Sequence, residues 1–192
     1  MAEVLLFHHA HGLTSGVREF AAGLEKAGHT VHVPDLYEGR IFDSLEEGVG
    51  HAQEIGFGTV LERGRAAARD LPDDLVLVGF SLGVLPAQML AQTRPGARGA
   101  LLLSGCVPVS EFGTAWPEGV PAQVHGMAED PYFAEEGDLD AARALVGATP
   151  GTELFLYPGS AHLFADPSLL SYDAGAAALL TERVLCFLAA AG

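Results

Sequence analysis

Ser81, Asp130 and His162 can perform acyl-transfer chemistry if the fold brings them together. A serine hydroxyl is a poor nucleophile until a base takes its proton, and an imidazole serves as that base when an acid holds it. Ser81 lies in Gly79-Phe80-Ser81-Leu82-Gly83, behind the apolar run Leu75–Val78 and ahead of a helical pattern carrying Leu85, Met89 and Leu90 on one face. Strand, sharp turn and helix form the setting in which Gly-x-Ser-x-Gly exposes its serine. Gly79 and Gly83 remove side chains that would collide where strand and helix approach. The free N–H groups at the start of the helix can meet a developing negative charge. The motif alone also fits a glycine-rich turn in any parallel-sheet protein; its flanks argue for the nucleophile.

Open parallel sheets hold ligands at the carboxyl ends of their strands, so polar residues that follow strands are the candidates. Asp130 follows an apolar strand ending near His125, in the turn Glu129-Asp130-Pro131. It could be only a turn residue, and Asp138 or Glu129 could take its place. His162 follows the strand ending at Tyr157. Apart from His125, which precedes the acid, it is the only histidine after Ser81. The order Ser81, Asp130, His162 is the nucleophile–acid–histidine order of the α/β-hydrolase architecture. That architecture draws one oxyanion N–H from the residue after the nucleophile, here Leu82, and one from an early strand-to-helix loop. His8, His9 and His11 form such a loop after the first strand. They match no strong zinc spacing and have no neighbouring carboxylate, so the expected role of the loop lies in its backbone, and no metal is expected.

The positioning elements follow from periodicity. Val4–Phe7 reads as a buried strand, a helix follows over 16–26, and Thr30–Val33 is a second strand. Residues 36–58 are hard to read and are placed as a loop leading into a helix; 59–70 is a clearer helix. Strands are expected over the apolar run 75–78 leading to Ser81, and at 100–103, 122–125 and 152–157, with a loop over 104–120. Asp138 is expected to cap a helix carrying Leu139, Ala142, Leu145 and Val146, and Asp173 to cap a final helix carrying Ala177, Leu180, Val184 and Leu188. Short apolar strands alternating with amphipathic helices specify an α/β fold, a mainly parallel sheet covered by helices on both faces. Without repeat or linker, residues 1–192 are expected to form one domain.

A net charge of −15, from 25 acids against 10 Lys and Arg, argues against nucleic acid and anionic membranes as partners. Two cysteines, Cys106 and Cys186, make no disulfide framework, and the N-terminal residues lack the basic flank of a signal peptide. No apolar run reads as long enough to span a bilayer, and the expectation is a cytoplasmic protein, monomeric or a small homo-oligomer.

Over nearly its whole length the chain resembles the dienelactone hydrolase family. The likeness rests on Gly12, on Ala27-Gly28-His29-Thr30-Val31 leading to Pro34-Asp35-Leu36-Tyr37, and on Gly79-Phe80-Ser81-Leu82-Gly83. It continues through His125-Gly126-Met127-Ala128-Glu129-Asp130, Gly159-Ser160-Ala161-His162-Leu163-Phe164-Ala165 and Ser171-Tyr172-Asp173. The resemblance implies the α/β-hydrolase fold, with Ser81 as nucleophile, Asp130 as acid, His162 as base, and the N–H groups of Ala10 and Leu82 as oxyanion donors. It implies no cofactor. The name-giving enzyme has cysteine at Ser81, glutamate at His9, and a substrate-binding arginine at the position of Asp166. His9, His11 and Asp166 are therefore candidates for the substrate pocket. Asp166 is expected at its rim, where it would repel a carboxylate, or else as a cap of the turn before Pro167.

The reading that follows is a serine hydrolase of small carboxylic esters, lactones or thioesters. Its alternatives are dienelactone hydrolysis proper, cleavage of a C–C or peptide bond, and a non-catalytic binder of small ligands or partners.

Overall fold

The computed structural model describes residues 1–192. Six strands pair in parallel throughout, in the order β2-β1-β3-β4-β5-β6: β1 Glu3–Phe7, β2 Thr30–His32, β3 Leu75–Phe80, β4 Gly99–Leu103, β5 Ala122–Met127 and β6 Thr152–Tyr157. The alternation of side chains along each strand splits the core in two. Leu5, Phe7, Leu75 and Leu77 face one layer, with α3 (Phe57–Ala67), α4 (Val84–Thr93) and α6 (Asp138–Ala148). Val4, Leu6, Val76, Val78 and Phe80 face the other, with α1 (Ser15–Lys26) and α7 (Ala174–Ala191). Burial of every residue of β3 explains its uninterrupted apolar run.

The hard segment resolves into α2 (Leu45–Ile55), followed after Gly56 by α3. Ser44 accepts the Glu47 N–H, so the Ser-x-x-Glu spacing was the available signal for the start of α2. A one-turn helix, α5 (Pro131–Ala134), lies in what reads as a turn. Asp138 is inside α6 and caps nothing; Gly137, at φ 106°, precedes it. Asp173 does cap α7, accepting the Ala176 N–H. This helix is 18 residues long with a mean hydropathy of 1.6, enough by length and composition to cross a membrane, contrary to expectation. One stripe of it, Ala177, Leu180, Val184 and Leu188, is buried against the sheet, while Leu179 and several of its alanines are exposed.

The chain leaves β1 for β2 on one side and then crosses to β3 on the other. The crevice between β1 and β3 is thus the topological switch point. Phe7 and Gly79 are register partners, so both strands end at the same level. There a Cβ on Gly79 would overlap the Gly83 carbonyl, and one on Gly83 would overlap the Phe7 carbonyl oxygen. Gly83→Ala is therefore expected to cost more than about 3 kcal/mol, beyond the usual penalty for overpacking. Gly50→Ala, in the middle of α2 with nothing within 4 Å of the added carbon, should stabilise by about 0.5–1 kcal/mol. Urea unfolding of both variants checks the contrast, and a neutral Gly83→Ala would refute the close approach.

Candidate active site

Ser81 sits at φ 47°, in the left-handed region that a β-carbon makes costly, at the turn between β3 and α4. Its Oγ lies 2.8 Å from His162 Nε2. His162 Nδ1 lies 2.7 Å from Asp130 Oδ2. The only consistent proton arrangement has Nδ1–H donating to the carboxylate and Nε2 accepting from the hydroxyl. Asp130 is fully buried, and its second oxygen accepts the Tyr132 N–H, capping α5 with Pro131 in the first turn. Asp130 is thus both a turn residue and the partner of His162. Asp138 does not contact the imidazole: its Oδ2 accepts the Cys106 N–H at 3.0 Å, and burial pushes its carboxyl up. Glu129 is exposed. The Cys106 thiol, raised to about 12 by burial and by Asp138, stays protonated and inert.

The three early histidines each tie the His8–Gly12 loop to a different segment. His8 Nε2 accepts the Leu36 N–H at 2.9 Å, which leaves Nδ1–H for the His9 carbonyl at 2.7 Å. His11 Nδ1 donates to the Phe42 carbonyl at 2.9 Å. His9 Nε2 meets Asp166 Oδ2 at 2.7 Å, and its Nδ1 accepts the His11 N–H at 3.3 Å. Gly48 of α2 is packed so closely on the Ala10 carbonyl that a Cβ would overlap it. The Ala10 N–H donates to no protein acceptor. Leu82 is the second residue of the 3₁₀ turn Ser81–Gly83, where N–H groups lack intrahelical partners.

Asp166 corrects one expectation. It is 2% exposed and lies behind the rim, where its Oδ1 accepts the Ser168 N–H and so closes the turn at Pro167. His9, 0% exposed, is also behind the wall. His11 does line the cavity, about 770 Å³, together with Phe42, Leu45, Tyr132, His162 and Leu170. Neither lysine nor arginine lines it. Arg63 is held by the Leu36 carbonyl and Glu38, Arg65 by Glu62, and Arg40 lies over Phe42 and against His51. A second cavity, about 530 Å³, lies at the amino ends of β4–β6 around Arg98, Gln123 and Glu153, remote from Ser81. Sequence reasoning missed Phe42, Leu45, Tyr132 and Leu170, which come from segments without a clear periodic signal.

An all-parallel sheet with a serine on a strained turn at its switch point defines an α/β-hydrolase. Within that class the chain belongs to the dienelactone hydrolase family, whose family model matches residues 1–192. The pimeloyl-[acyl-carrier protein] methyl ester esterase of Cronobacter sakazakii is 28% identical over 149 residues, 78% of this chain and 53% of that protein. The chain thus spans about half the length of the curated relatives it matches. The fold is shared with the dienelactone hydrolase of Anabaena variabilis (TM-score 0.72, 17% identity, 99% of this chain and 86% of that one). It is shared as well with a dienelactone hydrolase-like promiscuous phosphotriesterase from metagenomic libraries (TM-score 0.74, 18% identity, 99% and 86%).

Burial holds several imidazoles neutral, with a measurable consequence. Desolvation lowers His8 to about 4 and His125 to about 3, and lowers His9 despite the opposing pull of Asp166. In the unfolded chain each titrates near its ordinary 6.5. The unfolded state therefore binds more protons from about pH 6.5 down to about 4 for His8 and 3 for His125. Their stabilisation is complete above that window and is lost as pH falls through it, by up to about 1.4 kcal/mol per pH unit for each imidazole. Urea midpoints at pH 7.5, 6.0, 5.0 and 4.5 should fall steadily, and a flat profile would show these imidazoles to be solvated.

Proposed function

We propose that this chain is a serine hydrolase of small, neutral carboxylic esters, lactones or thioesters, acting through Ser81, His162 and Asp130. The observation that carries the reading is the unbroken line from Ser81 Oγ to His162 Nε2, 2.8 Å, and from His162 Nδ1 to Asp130 Oδ2, 2.7 Å. Ser81 Oγ attacks the carbonyl carbon as His162 Nε2 takes its proton. Asp130 holds the ring and stabilises the imidazolium. The tetrahedral oxyanion is met by the N–H groups of Leu82 and Ala10; the place of Leu82 in the turn after Ser81 and the lack of a protein acceptor for the Ala10 N–H support this role. His162 returns the proton to the leaving oxygen or sulfur, and water, activated by the same imidazole, releases the acyl-enzyme. No metal or organic cofactor enters this scheme, and residues 1–192 act as one unit.

Two features support a neutral substrate. The cavity mixes apolar side chains with hydroxyls and one carboxylate, Asp43, and has no lysine or arginine. The chain carries −15 net charge, a field that opposes anions. A dienelactone carboxylate would find no bidentate partner there. Cys106 and Cys186, both unpaired, suit a reducing cytoplasm.

A fluorophosphonate probe should label the Ser81 peptide, and Ser81→Ala should abolish labelling and reduce ester turnover by up to about 10⁶, the loss of a triad nucleophile. Substantial turnover by the alanine variant would refute the reading. Asp130→Asn should lose roughly 10⁴ in kcat through the wrong histidine tautomer, whereas Asp138→Asn should leave kcat near wild type. The reverse ranking would transfer the acid to Asp138. Between a p-nitrophenyl ester and its carboxylate-bearing analogue, kcat/KM should favour the neutral one; preference for the anion would remove the substrate assignment while leaving the nucleophile intact.

A further inference from the structure

Four hydrogen bonds converge on one buried carboxylate outside the Ser81–His162–Asp130 line. Asp166 Oδ2 accepts from His9 Nε2 at 2.7 Å and from Thr14 Oγ1 at 2.6 Å; Oδ1 accepts from the Ser168 N–H at 2.8 Å and the Ser168 hydroxyl at 2.6 Å. The fold makes room for it: a Cβ on Gly16, in the first turn of α1, would overlap Asp166 Oδ1. Burial alone would push this carboxyl up, but the donors from His9, Ser168 and Thr14 outweigh it and hold Asp166 at about 2. His9, pushed down by burial, is neutral beside it. The pair is therefore a charged acceptor and a neutral donor, bound by a charge-assisted hydrogen bond.

An ionised acceptor at Nε2 leaves His9 one tautomer. The proton sits on Nε2, and Nδ1 is bare toward the His11 N–H, 3.3 Å away. That contact folds the main chain back on His9 across Ala10, whose N–H has no protein acceptor. The Gly12 N–H closes the same turn on the His9 carbonyl at 3.0 Å. Asp166 is four residues beyond His162, so one carboxylate joins the segment bearing the base to the loop bearing a candidate oxyanion donor. We infer that Asp166 and His9 form a second acid–imidazole pair, which never reacts but fixes the tautomer that holds the Ala10 N–H in place for the oxyanion. Both are positioning residues, and the inference rests on the serine-hydrolase reading only for its catalytic consequence.

Two substitutions separate positioning from mere bracing. Gln at position 9 keeps a donor for Asp166 but has no acceptor where Nδ1 was; Asn keeps an acceptor there but does not reach Asp166. His9→Gln should retain thermal stability and lose about 10- to 100-fold in kcat with KM within about twofold, a loss somewhat below that of deleting an oxyanion donor. His9→Asn should lose more stability yet keep most of its turnover per probe-labelled site. Equal kcat in the two variants, or losses that track stability alone, would overturn the inference. ¹⁵N chemical shifts of the His9 ring test its first half without any turnover. At pH 7.5 the wild type should show a protonated Nε2 and a bare Nδ1, and Asp166→Asn should mix or reverse the tautomers. A protonated Nδ1 in the wild type, or an unchanged tautomer in Asp166→Asn, would overturn the pair. If wild-type turnover does not depend on Ser81, the functional reading fails and the ring shifts still decide the pair. If it does depend on Ser81 but Asp166→Asn and His9→Gln keep full kcat, only this inference fails.

Discussion

No side chain fits between Gly83 and the carbonyls of Phe7 and His8, and the site depends on that close approach of backbone to backbone. It seats the start of α4 directly on the end of β1, beside the strand that carries Ser81. Gly79 does the same within the turn, where a Cβ would overlap the Gly83 carbonyl. The two loops at the switch point are consequently separated by main chain alone. One presents a hydroxyl and the other carries the unpaired Ala10 N–H, and parallel register sets both strand ends at the same height.

A loop so placed needs anchors that do not fill the crevice, and three imidazoles provide them. Each ring offers one donor and one acceptor at opposite ends, and burial keeps His8 and His9 neutral so that neither brings a charge into the site. Lysine or arginine in these positions would donate only and remain charged. The full charge on Asp166, behind that loop, is surrounded by donors, as a buried carboxylate must be.

The strands and the elbow were legible because they rest on local signals. An unbroken apolar run marks β3, two glycines bracket Ser81, and Asp173 stands where a helix must begin. The His8–His9–His11 loop was legible only in part. Its backbone role followed from its place after β1, but the partners of its rings lie 28, 157 and 31 residues away in sequence. Asp166 shows the limit most clearly. Its place near His162 in the chain suggested a charge at the pocket mouth, and nothing local reveals that Gly16 leaves a hole for it to turn inward. Asp138 failed for the opposite reason: an acid before an apolar helical pattern reads as a cap, yet a long-range contact with the Cys106 N–H claimed it first. Residues 36–58 carry a capping spacing at Ser44 and Glu47, but glycines and acids dilute the periodicity that would have fixed the helix length.

Asp130 holds the imidazole with one oxygen and starts a single helical turn with the other. A turn of four residues has no stability of its own. What keeps α5 folded is Phe133, fully buried and wedged so tightly over Gly126 that a methyl group there would meet its ring. Orientation of the proposed base therefore depends on one aromatic anchor, and Phe133 belongs to the same apolar layer as Leu5, Phe7, Leu75 and Leu77. The packing that holds the strands also holds the acid against the imidazole, so a core substitution beneath β5 would disturb the proposed base without touching it.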